Sequence, residues 1–382
     1  MKYKCFYGAA ALFWVSCATT PSSFPERVII PYDIAGTCHA GSPRLSPEDA
    51  RGENALMDEL GMTWIRNDFY WTRIEPRRGE WDFSYYDALV EKNKKAGRKI
   101  LAILAFDNRW LYKNNKTRDY IAPEHLPLYL NYVEQTVRRY KGKVDAWEIW
   151  NEPNVSIRFW NGPAKDFFAL SKAAAAKIKE VDPAAYVIAG AFFRSPTSFI
   201  ARMEKAGALE NVDGLSVHPY ASNPHAVLAV YEKFEKQVRG LGFTGDIWVT
   251  EAGFPVAGYY PWRTPEKKLG DTIIKTLTLL AAKGARAIVW YQLTESYVKA
   301  HTPKTIDSED FFGIAYRDYE KREGAALFGV LIKAIAGAEY LRDWPGKGEL
   351  PPGTIAFCFK KPSGELLLVR WAKNMPAVLE KR

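Results

Sequence analysis

Two glutamates, each at the break after a short apolar run, are the residues whose type and setting suit them to acid–base and nucleophilic chemistry. The run Val144-Asp145-Ala146-Trp147-Glu148-Ile149-Trp150-Asn151-Glu152-Pro153-Asn154 begins as a buried strand would and stops at a proline. That break presents an amide and a carboxylic acid side by side, Asn151 and Glu152. A carboxyl flanked by Trp147 and Trp150 sits in a partly apolar pocket, which disfavours its charged form and raises its pKa, as a general acid requires. A second run, Ile247-Trp248-Val249-Thr250-Glu251-Ala252-Gly253-Phe254, places another carboxylate at a strand-to-glycine break. Arg66 and the segment Val217-His218-Pro219-Tyr220 stand at two further strand ends. The alternative for either glutamate is a solvated strand-end carboxylate with no chemistry.

Such a pair is useful only if the fold brings its members together. Apolar runs predict strands at 28–32, 62–67, 99–105, 144–150, 186–191, 212–217, 247–251 and 286–292. Helices are predicted between them, at 85–95, 124–140, 164–180, 197–205, 224–239, 265–283 and 324–336, and another opens at Ser46-Pro47-Glu48-Asp49. That opening has a capping residue, a proline in the first turn and acids beside it. Strict strand–helix alternation over some 300 residues indicates an α/β fold, a closed (β/α)8 TIM barrel, with a doubly wound open sheet as the runner-up. No Gly-rich phosphate loop follows any strand, and no G-x-S-x-G, H-E-x-x-H or Walker pattern is present, so no metal or cofactor is expected. Strands four and seven lie nearly opposite in such a barrel, and carboxyls from opposite rims can meet across a sugar at about 5 Å. Residues 337–382 change character: two alternating runs around Pro362-Ser363-Gly364 predict a β-hairpin packed on the barrel.

Composition sets the outer limits. A chain of 382 residues, 47% hydrophobic and 25% charged, is long enough for a sizeable core and ordinary for a globular protein. Aromatics are abundant at 14%, with 13 Trp, which suits a large core and also sugar-binding clefts. The net charge of +9 is scattered in short pairs such as Arg77-Arg78, Lys94-Lys95 and Lys267-Lys268, read as solvated faces and not as a nucleic-acid stripe, with a preference for an acidic polymer left open. Residues 1–16 read as an export signal, with Lys2 and Lys4 ahead of a short apolar run, and 17–27 as a flexible tether. The signal resembles that of a bacterial lipoprotein, cut before Cys17 and lipidated there, with Trp14 where that motif prefers Leu. The expected location is therefore the periplasm or outer envelope, with membrane attachment through Cys17. Cys38 and Cys358, which remain after the leader, are expected as free thiols.

The motif Trp147-Glu148-Ile149-Trp150-Asn151-Glu152-Pro153-Asn154 resembles the strand-four signature of clan A glycoside hydrolases, a (β/α)8 superfamily of retaining enzymes. Residues 247–253 resemble its strand-seven nucleophile segment, and Arg66-Asn67-Asp68 with Trp71 through Asp87 is similar to the stretch after strand two. The likeness spans 28–336 and looks closest to family 39 and its exported bacterial relatives; family 5 usually has a histidine after strand three, where this chain has Phe106-Asp107-Asn108. The resemblance implies a carbohydrate substrate, with Glu152 as acid and then base and Glu251 as nucleophile. It also implies that Asn151 binds the sugar 2-hydroxyl, that Tyr220 and Arg66 hold Glu251 ionised, that His218 lines the same wall, and that Trp290 is the platform beneath the cleaved sugar, with Tyr291 as its substitute. Asp33, His39, Asp107, Trp110, Trp160 and Glu295 fall on predicted rim loops as further sugar contacts. A glycan-binding barrel without catalysis and an envelope scaffold are the alternatives to an enzyme.

Overall fold

Eight parallel strands close into a barrel in chain order: Ala35–Cys38, Trp64–Tyr70, Lys99–Ala105, Ala146–Ile149, Val187–Phe193, Gly214–His218, Asp246–Ala252 and Ile288–Trp290. The computed structural model describes residues 23–156, 158–301, 306–342, 350–351 and 353–381, so the expected export signal and Cys17 lie outside it. Helices follow the strands and cover the barrel, as the alternation predicts. The first of them, Pro47–Leu60, starts where Ser46 accepts the Asp49 amide at 3.0 Å and ends at Gly61 in the left-handed conformation (φ 67°). Among the described residues no helix is long and apolar enough to cross a membrane.

Side chains alternate between the barrel interior and the helix layer along each strand. Trp64, Leu101, Ala146, Ile188, Trp248 and Ala287 form a closed apolar floor, with Trp64 and Trp248 edge to face at 5.1 Å. Two residues further along strands two, four and seven the interior turns polar, with Arg66, Glu148 and Thr250, all buried. The remaining core lies between the strands and the helices.

The predicted first strand is corrected. Arg27–Ile29 pairs antiparallel with Glu339–Leu341 and forms the edge of a five-stranded sheet with Thr354–Lys360, Leu366–Ala372 and Val378–Lys381. Ile29 is 69% exposed, whereas a barrel strand is covered on both faces. The true first strand, Ala35–Cys38, is short and carries no Val, Ile or Leu. Gly36 is required there, because a Cβ would lie 2.5 Å from the Cβ of Trp64. Of the expected tether at 17–27, residues 17–22 lie outside the described residues, and its end is docked, with Phe24 buried against Phe357 at 5.1 Å. The C-terminal hairpin appears where the alternation put it, with Phe357 opposite Val369 and stacked on Trp371. Cys38 and Cys358 are both free and buried, one in the barrel and one in the sheet.

The floor is the base on which the polar layer rests. Trp248→Ala should cost about 3–5 kcal/mol, read as a lower urea midpoint, and a loss below about 1 kcal/mol would contradict the packing described here.

Candidate active site

Strict alternation would not aim both glutamates into the barrel; local breaks do. After Ile149 the chain leaves the strand with Trp150 (φ 67°) and Glu152 (φ 45°) in left-handed backbone, each costing about 1–3 kcal/mol and persisting only where the surroundings impose it. Trp150 is fully buried, donates from Nε1 to the Phe159 carbonyl at 2.7 Å and meets Trp160 edge to face, while the Glu152 amide donates to the Ala191 carbonyl at 3.0 Å. On strand seven the register against strand eight shifts between Val249 and Ala252, an irregularity that re-aims a side chain. Thr250 and Glu251, though consecutive, then both face the centre: Thr250 meets His218, and Glu251 meets Arg66. One oxygen of Glu152, one of Glu251 and a ring nitrogen of His218 lie within 4.8 Å of one another.

Arg66 is the hub of this arrangement. Its guanidinium donates to Glu251 at 2.7 Å, to Glu148 at 2.6 Å and to the Asn151 amide oxygen at 2.8 Å, and the side chain is only 1% exposed. Ser216 donates to the other Glu148 oxygen at 2.6 Å. Tyr220 donates its hydroxyl to Glu251 at 2.8 Å. His218 places Nδ1 2.7 Å from Glu152 and Nε2 3.1 Å from the Thr250 hydroxyl.

The two carboxyls are driven apart electrostatically. Burial raises the pKa of Glu152, and the nearby Glu251 charge raises it further, against the pull of the His218 contact. Burial would raise Glu251 as well, but the His218 ring, the Arg66 charge and the Tyr220 hydrogen bond outweigh it and hold that carboxyl below its ordinary value. A carboxyl with a raised pKa facing one with a lowered pKa is the arrangement that acid–nucleophile chemistry needs. Glu152, His218 and Glu251 are also the group, among the described residues, that could hold a metal ion. Both His218 ring nitrogens and both Glu251 oxygens are already bonded to protein, so a metal would have to displace those contacts.

These groups open into a cavity of about 310 Å³ at the carboxyl ends of the strands. Arg66, Asn151, Glu152, Tyr220, Glu251, His39 and Asp68 line its polar part, and Tyr70, Phe106, Phe159, Phe193, Tyr260, Trp262, Tyr291 and Phe312 its aromatic walls. His218 stands behind the glutamates, fully buried, and does not line the cavity.

Several expected contacts are corrected. Trp290 is not the platform: it lies three residues from inward-facing Ala287, hence on the opposite face, and packs on Phe254 and Phe328 in the helix layer. Tyr291, just past the strand, lines the cavity instead. Asp33 precedes the true first strand and so lies at the barrel's other end, paired with Lys99 at 2.7 Å and Arg286 at 2.9 Å. Glu295 is buried against Arg322 at 2.7 Å, and burial pushes it up to about 7. Asp107 is buried, accepts the Arg118 amide and is pushed up to about 6, chiefly by burial. Trp160 is core, and Trp110 faces outside the cavity. His39 does line it, its ring 5.8 Å from that of Tyr291.

Sequence reasoning missed Glu148, Ser216 and Thr250 as partners of the site. Period-two counting would have found Glu148, which shares its face with inward Ala146.

Comparison with known proteins agrees with the fold. Residues 43–115 match the Glyco_hydro_42 family, described as beta-galactosidase. A beta-xylosidase of Caldicellulosiruptor saccharolyticus is 31% identical over 166 residues, covering 38% of this chain and 34% of the relative. The aryl-phospho-beta-D-glucosidase BglA of Bacillus subtilis is 24% identical over 235 residues, covering 54% of this chain and 42% of the relative. The chain thus spans about a third to two fifths of the length of these curated relatives. Among solved structures, a family 39 glycoside hydrolase from Bacteroides cellulosilyticus WH2 superposes with a TM-score of 0.73 at 22% identity, covering 90% of this chain and 71% of that one. A family 39 beta-xylosidase from Caulobacter crescentus gives a TM-score of 0.65 at 16% identity, covering 92% of this chain and 80% of that one. At these identities the superpositions speak for the fold. The class that emerges is the (β/α)8 barrel with two carboxylates facing across its mouth. Within that class, the chain resembles the clan A glycoside hydrolases, and family 39 among them.

Tyr220→Phe should raise the Glu251 pKa by removing a donor to its ionised form. Any activity that needs Glu251 ionised should then lose its acidic limb at a higher pH, with the basic limb unmoved. An unchanged acidic limb in a pH–rate profile of kcat/KM would remove Tyr220 from this role.

Proposed function

We propose that the protein is a retaining β-glycosidase that hydrolyses an oligo- or polysaccharide by double displacement. The observation that carries this is the approach of Glu152 and Glu251 oxygens to within 4.8 Å. Retaining glycosidases hold their carboxyls about 5–5.5 Å apart, whereas inverting ones leave about 6.5–9.5 Å for a water between them.

In the first step the ionised Glu251 attacks the anomeric carbon as Glu152 gives its proton to the departing glycosidic oxygen. The bond to that oxygen breaks and a glycosyl ester of Glu251 forms. In the second step Glu152, now ionised, takes a proton from a water whose oxygen attacks the same carbon and frees Glu251. Arg66 and Tyr220 keep Glu251 charged in a buried setting. Because Arg66 occupies the Asn151 amide oxygen, the Asn151 amide nitrogen remains to donate to the sugar 2-hydroxyl, a contact that strengthens in the oxocarbenium-like transition state. Tyr291 supplies the aromatic surface at the cleaved ring. The β-configuration is supported by the beta-xylosidase, beta-galactosidase and beta-D-glucosidase descriptions of the relatives.

The leader supports export, with the substrate an envelope or extracellular polysaccharide and Cys17 the lipid attachment point. Replacing Cys17 by Ser should move the protein from the membrane fraction to the soluble exported fraction, and an unchanged distribution would exclude the anchor. Glu251→Ala should abolish hydrolysis of an aryl β-glycoside, with azide restoring turnover as a glycosyl azide of inverted configuration. Glu152→Ala should lose about 10²–10⁴-fold on substrates with poor leaving groups, and azide should give the retained product. Full activity in Glu251→Ala would sink the mechanism.

A further inference from the structure

Outside the cavity, on the same rim, Arg77, Arg78 and Arg109 surround an open depression of about 460 Å³ together with Thr72 and Trp110. We propose that this depression is a second sugar subsite that grips an acidic unit, a uronate-type ring, of the glycan whose neutral unit is cleaved in the cavity. This rests on the glycosidase reading and extends it to the charge of the substrate.

Position is the first argument. Tyr70 and Phe106, with ring centroids 6.2 Å apart, line the cavity, and Thr72 and Arg109, two and three residues further along the same segments, line the depression. The cavity wall and the arginines are thus carried by the same two segments at the same end of the barrel.

Preorganisation is the second. Buried Glu75 locks the two loops: its carboxylate accepts from Trp71 Nε1 at 2.6 Å and the Gly79 amide at 2.7 Å. Its carbonyl accepts from Asn108 and from Trp110 Nε1, each at 2.9 Å. Trp110 is thus held in place beside the guanidinium groups, an apolar surface for a sugar ring next to planar donors that fit a carboxylate.

Charge is the third. Arg77 pairs with Glu80 at 2.9 Å, but Arg78 and Arg109 have no carboxylate partner among the described residues. The two unpaired guanidinium groups, beside the paired Arg77, leave the depression net positive and suited to a ligand that carries a negative charge. The cavity itself offers an anion little: Arg66 is committed to Glu148 and Glu251, Arg158 faces Glu309 at 3.6 Å, and Asp68 adds negative charge. A neutral ring at the cleavage point with an acidic ring beside it reconciles the two.

The test compares cellotetraose with its counterpart in which one terminal ring alone, at either end, carries a C6 carboxylate in place of the hydroxymethyl group, by calorimetry on the full chain. The singly acidic tetramer should bind about tenfold tighter at low ionic strength, with the advantage shrinking as salt screens it. Arg78→Gln/Arg109→Gln should erase that advantage, and Arg78→Lys/Arg109→Lys should restore part of it. Equal affinity for the two tetramers in the wild type, or an advantage that survives the glutamine pair, would overturn the proposal. Hydrolysis of an aryl β-glycoside, with Glu251→Ala as control, is read separately: its absence would sink the glycosidase reading and leave the binding comparison to judge the subsite.

Discussion

The structure turns on one buried cation. Arg66 rises from strand two into the barrel centre and donates at once to strand four through Glu148 and Asn151 and to strand seven through Glu251. Taking a guanidinium and two carboxylates out of water is expensive, and their mutual attraction offsets that only when geometry is good and the remaining lone pairs are satisfied. Here they are, because Ser216 completes Glu148 and Tyr220 completes Glu251. Together with the His218 ring and the Tyr220 hydroxyl, the cation holds Glu251 below its ordinary value against the opposing effect of burial.

The same network sets the two glutamates of one cavity electrostatically apart. Glu251 receives the charge and the phenolic donor; Glu152 receives burial and the field of its neighbour. The apolar floor of Trp64, Trp248 and their partners fills the barrel beneath the pair. Left-handed backbone at Trp150 and Glu152 is the local strain this placement demands, held by the packing of Trp150 against Trp160 and Phe106.

Around this centre the loops do the discriminating. Aromatic side chains at or beyond the ends of strands two, three, four, five, seven and eight wall the cavity, which suits a sugar ring better than a charged ligand. In the cavity the exposed Arg158 faces Glu309, and outside it Arg77, Arg78 and Arg109 gather positive charge on loops stiffened by Glu75. The five-stranded sheet takes both ends of the described chain, joining Arg27–Ile29 to the C-terminal strands.

What the sequence determined by itself is local. The strand–helix alternation beyond the first strand, the cap at Ser46, the C-terminal hairpin and the two Glu-bearing breaks are set by neighbours a few residues away, and each stands where the pattern put it. What only the tertiary structure decided is which face and which end of the barrel a side chain occupies. The run at 28–32 looks like a barrel strand but was claimed by a pairing more than 300 residues distant, which moved the first strand to Ala35–Cys38 and sent Asp33 to the opposite end. Trp290 and Tyr291 are adjacent and aromatic, yet closure of strand eight against strands one and seven turns the first outward and the second into the cavity. Orientation of this kind depends on long-range register, and a shift of one residue reverses it, so no reading of neighbours along the chain could have supplied it.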